Sequence, residues 1–239
     1  MPMQANQPLP DGYQLQQDYE TWGPLNLIYR PGPASTPAIQ AEVLNRSTAY
    51  DIIKGSTPTN QMRDVTIHRD FHNLLLISYP SSSACMHVID GSLPVYSADD
   101  SLLVQQVGAY SHVERIVPTG KSASVPAQIF GAEPAHGWCY YYQKASLARQ
   151  VGDWQEIGKL YDQARALKLD AADDAEVIPF FEGLVNAGRV DDARALYSSK
   201  IKGRSEVRVP LCLGLAKDPG YPAKFGYDYK MIYQILCNS

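Results

Sequence analysis

Two stretches of this sequence, 36 residues apart, share one pattern: residues 152–161 (GDWQEIGKLY) and residues 188–197 (GRVDDARALY). Each stretch has a turn glycine just before the start of a helical segment, and each ends on Leu-Tyr. Helix pairs that recur with a period of about 34 residues are typical of tetratricopeptide repeats. The sequence therefore predicts a short helical repeat array in this half of the chain, of the kind that binds and supports other molecules.

The helical pattern around these stretches covers four segments, 138–151, 154–169, 174–187 and 190–202. Short connections favour packing as two antiparallel pairs. Small residues such as Ala145, Ala148 and Ala193 permit close approach of the helices. The positions predicted to be buried are Leu160, Tyr161, Ala164, Phe180, Leu184, Ala193 and Leu196.

The preceding half of the chain has shorter apolar runs that are typical of strands. Residues 74–79 and 86–89 are expected to be strands of one sheet. A proline ends the first run, and an Asp-Gly turn ends the second. Residues 102–107 fit either a strand or a short helix, and 112–117 fit an edge strand. A further helix is expected over 37–45, with Thr36 as its N-cap.

These patterns predict an α+β chain, in which a β-containing domain precedes a tetratricopeptide-like helical array. The expected organisation is a flexible arm at 1–12, a β-rich α+β domain at 13–134, helical repeats at 135–205 and a closing segment at 206–239.

Composition narrows the function classes. The 239 residues carry a net charge of −4 without a basic stripe, so we expect no nucleic-acid partner. No apolar run approaches the roughly 20 residues that span a bilayer, and no signal peptide is visible at the N-terminus. The chain is also long enough to bury a core without needing a metal or a disulfide to hold it.

Candidate chemical motifs are weak, and the sequence predicts no catalytic, cofactor-binding or metal-binding residues. His68 and His72 lie four apart, but in a segment that reads as loop and strand rather than helix. The serine run 81–83 lacks the surrounding glycines of a nucleophile elbow, so a hydrolase using Ser82 is only an alternative. Neither known glycine-rich nucleotide-binding loop is present.

Tyrosine is abundant, with 16 copies, and its apolar ring with a polar tip suits interfaces. We expect an interaction surface that includes Tyr140, Tyr142, Tyr227 and Tyr229. The alternative for the run 140–142 is that its rings pack into the repeat core and cap the junction between the two domains.

Four segments resemble a known group of proteins: residues 129–145 (IFGAEPAHGWCYYYQKA), 147–154 (LARQVGDW), 73–79 (NLLLISY) and 85–90 (CMHVID). Together they look like the extracytoplasmic C-terminal region of bacterial multi-pass membrane proteins described as glycosyltransferase-like or uncharacterised. The resemblance covers roughly residues 60–200. It implies a location outside the cytoplasmic membrane. It carries over no catalytic residue, because the reactive groups of such enzymes lie in loops between membrane helices.

The four cysteines form no C-x-x-C pair, so they fit either free thiols or disulfides. The oxidising compartment that the resemblance implies favours a bridge between Cys212 and Cys237, with Cys85 and Cys139 as a possible second pair. Free thiols would instead indicate a cytoplasmic protein.

The function expected from these observations is a non-enzymatic extracytoplasmic interaction or structural module. Its partner would be another protein or a second copy of the chain. The alternative is an accessory domain that positions a glycan for a membrane glycosyltransferase-like protein.

Overall fold

The computed structural model describes residues 19–30, 38–62, 64–117, 125–217, 234, 236 and 237. Over these residues the chain is α+β, with helices and two small antiparallel sheets, as expected. The arm predicted at residues 1–12 lies outside the described part of the chain.

The helices are α1 (Tyr19–Tyr29), α2 (Arg46–Lys54), α3 (Leu102–Val107), α4 (Ala127–Phe130), α5 (Trp138–Gln150), α6 (Trp154–Ala166), α7 (Ile178–Asn186), α8 (Val190–Leu196) and α9 (Ser205–Lys217). The strands are β1 (Thr59–Met62), β2 (Val65–His68), β3 (Ile77–Ser78) and β4 (His87–Val88).

All four helices predicted after residue 137 are confirmed. A 3-10 turn, Asp174–Val177, leads into α7, and a π turn, Tyr197–Ile201, extends α8. Asp153 caps α6 by accepting a hydrogen bond from the Glu156 N–H at 3.1 Å. Gly152 and Gly188, at equivalent positions of the 36-residue pattern, both have a positive φ, 71° and 75°. That backbone conformation favours glycine and turns the chain into the next helix.

The helical half has a single core. Helix α6 packs against α5 and α7, and α7 also contacts α5, α8 and α9. All seven positions predicted to be buried are buried. Gly183 on α7 lies directly against Ile157 on α6, where a Cβ would overlap the isoleucine side chain. The close approach of α6 and α7 at this point therefore depends on a glycine rather than on an alanine.

The N-terminal half has its own smaller core, which α2, the 71–76 segment and α3 share. Its members are Ala49, Ile52, Phe71, Leu76, Ile89, Val104 and Val107. The helix predicted over 37–45 is wrong, because Asn45 has an extended backbone (φ −139°) and accepts hydrogen bonds from the Ser47 and Thr48 N–H groups. Asn45 thus caps a helix that starts at Arg46.

The two strands predicted near residues 77 and 88 pair antiparallel in one sheet, as expected, but each is only two residues long. The neighbouring backbone groups bond to a loop instead: Leu76 N–H donates to Ser111 Oγ, and His112 N–H donates to the Leu74 carbonyl. The N-terminal half consequently contains less strand than a β-rich domain would.

Neither of the two remaining candidate strands, 102–107 and 112–117, is a strand. Residues 102–107 form a helix, with Ser101 as the N-cap. The edge strand predicted over 112–117 is wrong, since Val113–Arg115 is a 3-10 turn. The carbonyls of Val113 and Ile116 accept hydrogen bonds from the Gln150 amide at 3.0 Å, which ties this segment to α5.

Within the described residues, no helix is both long and apolar enough to cross a membrane.

Candidate binding site

A cavity of about 980 Å³ lies where the N-terminal half meets the helical half. Its walls come from β4, α5 and α7. We call it the junction cavity and define it by Met86, Val88, Tyr140, Lys144, Glu182 and Asn186.

Strand alternation positions the β4 wall of the cavity. In the hairpin, Ser78 and His87 are paired and point inward, where both are buried. Ile77, Tyr79 and Met86 are exposed by 45%, 56% and 42%. Successive side chains of a strand point to opposite faces, so the outward face of this hairpin is apolar.

A buried carboxylate, Glu176, holds the hairpin to the helical half. Its side chain is fully buried, and its Oε1 accepts a hydrogen bond from the Cys85 N–H at 2.6 Å. The Trp138 ring N–H donates to its Oε2 at 2.6 Å, and His87 Nε2 lies 3.4 Å from its Oε1. Glu176 precedes α7, where the helix dipole favours a negative charge. It therefore connects the start of β4, the start of α5 and the start of α7.

Tyr142 lies beside this carboxylate. Burial, and secondarily the charge of Glu176, raise the pKa of Tyr142 well above its usual value. Its ring centroid is 5.4 Å from that of His87. The phenol therefore stays neutral over the whole physiological pH range.

An ion pair between Arg149 and Glu182 joins α5 to α7 at the cavity. The Arg149 Nε donates to Oε2, and its Nη2 donates to Oε1 at 3.1 Å. Burial opposes the charge of Arg149, but the attraction and hydrogen bond of Glu182 outweigh it, so the pKa of Arg149 is raised. These two charges are engaged with each other and fix the spacing of the two helices.

Of the four tyrosines predicted to form an interaction surface, only Tyr140 is partly exposed in the described chain. Its ring stacks on His136, with centroids 3.6 Å apart and planes within 4°. Tyr142 is only 8% exposed, so its assignment to an open surface is wrong. Its position on α5 turns it toward His87 and the core, as the alternative reading of the run 140–142 requires. Tyr227 and Tyr229 lie outside the described residues.

The structure joins Cys85 to Cys139 and Cys212 to Cys237, the two pairings that the resemblance favours. Their Cα atoms are 5.3 Å and 5.4 Å apart, within the usual range for a disulfide. The first bridge connects the hairpin to α5, next to Glu176. The second connects α9 to the segment that contains Leu236, which is buried in the helical core.

Ser81, from the serine run, and His68, from the histidine pair, have structural partners. Ser81 Oγ accepts a hydrogen bond from the Ala84 N–H at 3.2 Å, which shapes the turn between the strands. His68 Nδ1 lies 2.9 Å from Thr59 Oγ1 across the first hairpin. Among the described residues, no three His, Cys, Asp or Glu side chains come together as a metal site would need.

Sequence reasoning missed the residues that hold the junction together. Glu176 and Glu182 each lie next to or within the apolar run 177–185, where a carboxylate is conspicuous. Buried carboxylates need partners, so that placement could have indicated an internal ion pair or a buried hydrogen-bond acceptor. Nothing local to the sequence identifies Arg149 or Cys85 as the partner.

Compared with protein-family models, with curated proteins and with solved structures, the chain gives no match.

Proposed function

We propose that this chain is a non-enzymatic interaction module that works outside the cytoplasm and binds a protein partner at the junction cavity. The observation that carries the proposal is the open cavity itself, with an exposed apolar hairpin face at one wall and Lys144 and Tyr140 at another. Exposed apolar surface next to a cleft is typical of protein-binding sites.

We further propose that the helical half is a tetratricopeptide-like array. Helices α6 and α8 start 36 residues apart, at Trp154 and Val190, after glycines of matching conformation. The equivalent positions Leu160 and Leu196 are both buried. The cavity borders mainly α5 and α7, together with Gly214 of α9 and Trp154 at the start of α6. In such arrays one set of helices lines the binding face.

The titratable groups of the cavity support binding rather than acid–base chemistry. Arg149 and Glu182 are engaged with each other, and His87 lies against Glu176. The amide of Asn186 donates to the Glu182 carbonyl at 2.8 Å. These contacts give the cavity a fixed shape.

A role in positioning a glycan is the second candidate. Trp154, Tyr140 and the amide of Gln143 all line the cavity, and aromatic rings with nearby amides suit sugars. His136 already covers one face of the Tyr140 ring, however, which leaves less of that ring for a sugar to stack on. The protein partner is therefore the stronger proposal.

Site-specific crosslinking tests the proposal. A photo-crosslinking amino acid replaces Lys144 at the cavity or, as the matched control, the exposed Lys159 on α6. We expect a discrete crosslinked protein from position 144 and none from 159. Equal products from both positions, or no product from 144, would overturn the proposal. Light scattering on the same chain distinguishes self-association, and a glycan array tests the second candidate.

The compartment has its own test. Protein from its native source is alkylated without reduction and analysed by mass spectrometry. Protection of Cys85, Cys139, Cys212 and Cys237 is the result expected outside the cytoplasm. Alkylation of all four thiols would contradict the proposed location outside the cytoplasm.

A further inference from the structure

The hairpin β3–β4 has an open backbone edge that faces the junction cavity. The residue pairs are Ile77 with Val88 and Ser78 with His87, and the Ile89 N–H donates to the Leu76 carbonyl at 3.0 Å. In an antiparallel pair, hydrogen-bonded and non-hydrogen-bonded residue pairs alternate. The bond from Ile89 makes Ser78–His87 the hydrogen-bonded pair and Ile77–Val88 the other. The N–H and C=O of Val88 therefore point away from β3.

These outward groups are available for a partner. Within the part of the chain that the structure describes, neither the N–H nor the C=O of Val88 meets a hydrogen-bonding group. Val88 and its neighbours Met86 and His87 line the junction cavity, so the space beside the edge is open. A strand edge with free donors and acceptors is a template for another strand.

We propose that an extended peptide segment of a partner protein binds in the junction cavity as a third strand, paired with β4 at Val88. An added strand would lie about 4.8 Å from β4. The cavity beside Val88 has a volume of about 980 Å³, which gives space for such a segment. This inference rests on the proposed function and specifies the chemistry of its partner.

The side chains around the edge define the peptide further. The outward face of the hairpin, with Ile77, Tyr79 and Met86, is apolar and exposed, so alternate residues of the peptide that share this face are apolar. Lys144 is exposed at the cavity, and its Nζ lies 5.7 Å from the centroid of the Tyr140 ring. Its ammonium complements a carboxylate on the peptide. The partner segment therefore alternates apolar residues and carries an acidic group.

A matched pair of proline substitutions tests strand addition. Val88→Pro removes the outward N–H on the cavity edge, whereas Ile77→Pro removes the outward N–H on the opposite edge. Neither N–H contributes to the β3–β4 ladder, so both variants retain the hairpin bonds. Peptides are selected from a displayed random library on the full chain and then synthesised. We expect Val88→Pro to weaken their binding about tenfold or more, and Ile77→Pro to leave it unchanged.

A second measurement needs no variant. Amide hydrogen exchange of the wild-type chain, with and without a selected peptide, is expected to show new protection at Val88 and none at Ile77. Lys144→Glu should weaken the binding of the acidic peptides, whereas Lys159→Glu, at an exposed position, should leave it unchanged.

The outcomes separate this inference from the proposed function. Peptides that bind both proline variants equally, without protection at Val88, would overturn strand addition while leaving a protein-binding module. A library that yields no binding peptide would overturn the inference as well. A dimer that Val88→Pro abolishes would show that a second copy, rather than a foreign peptide, occupies the edge, which overturns the partner assignment.

Discussion

The helical half and the N-terminal half of this molecule are held together by different interactions. In the helical half, apolar residues at helical spacing pack into one core, and the fully buried side chains include Phe180, Ile157 and Leu184. The N-terminal half has two-residue strands near the junction, a smaller core and many loop hydrogen bonds. Polar contacts and a disulfide tie it to the helices, and Val95 packs against the helical core. The difference indicates that the N-terminal half depends for its stability on its attachment to the helical half.

The largest expected effect comes from removing the bridge between the halves. Cys85 and Cys139 are separated by 54 residues, and loop-closure entropy assigns their bridge about 4 kcal/mol of stability, against about 3.5 kcal/mol for the 25-residue separation of Cys212 and Cys237. The double variant Cys85→Ala with Cys139→Ala should therefore lose about 4 kcal/mol in a urea melt.

Amide hydrogen exchange on that variant refines the comparison. Protection should fall at β3 and β4 while α6 and α7 keep theirs. An equal loss of protection in both halves would show that the two fold as one cooperative unit.

The next largest effect concerns the buried carboxylate. Glu176→Ala leaves the Cys85 N–H and the Trp138 ring N–H buried without an acceptor, which should cost about 3 kcal/mol of unfolding free energy. The control is Glu133→Ala, because that side chain is largely exposed and the change should stay within about 0.5 kcal/mol. Comparable midpoints for the two variants in a denaturant melt would contradict the connecting role of Glu176.

A smaller effect tests packing inside the helical half. Gly183→Ala introduces a Cβ that overlaps Ile157, so we expect a loss of about 2 kcal/mol from overpacking. Gly137→Ala is the matched control, since a Cβ there meets nothing within 4 Å. Thermal melts of both proteins measure the difference. If Gly183→Ala proved as stable as the control, the α6–α7 contact would have to be looser than described.

The smallest effect is electrostatic and concerns an ion pair on the surface of the helical half. Hydrogen bonds from Arg189, at 2.7 and 2.9 Å, hold the pKa of Asp162 below its usual value. A carboxyl with a lowered folded pKa contributes stability above its unfolded pKa and loses it as the pH falls through the folded value. Solvent screens this exposed pair, so Asp162→Asn should cost only about 0.5 kcal/mol at pH 7.

The pH dependence provides the check on that pair. The cost of Asp162→Asn should shrink as the pH falls through the lowered folded pKa of Asp162, and it should disappear once the wild-type carboxyl is protonated. Asp191→Asn, at a fully exposed carboxylate of α8, is the control. A cost that persists unchanged in acid would assign the effect to side-chain packing instead of charge.

Much of the helical half could be predicted because its signals are local. Asp153 caps α6 from the position directly before it, and Gly152 and Gly188 mark both turns. The N-terminal half was predicted less well for the opposite reason. Residues 112–117 alternate as a strand does, yet the Gln150 side chain captures two of their carbonyls from a helix more than 30 residues away. The local alternation of residues 112–117 gives no sign of such a distant partner.

The sequence by itself determined the α+β class, the four helices between residues 138 and 202 and their buried faces, because helix periodicity, caps and turn glycines act over a few neighbouring residues. Only the tertiary structure decided the candidate site. The bond from Cys85 to Glu176 spans 91 residues, and the contact of Arg149 with Glu182 spans 33. The open edge of β4 likewise follows from which residues happen to pair with Val88 and its neighbours. Such contacts depend on how distant segments pack against each other in the folded chain, and no local pattern of residue types encodes that packing.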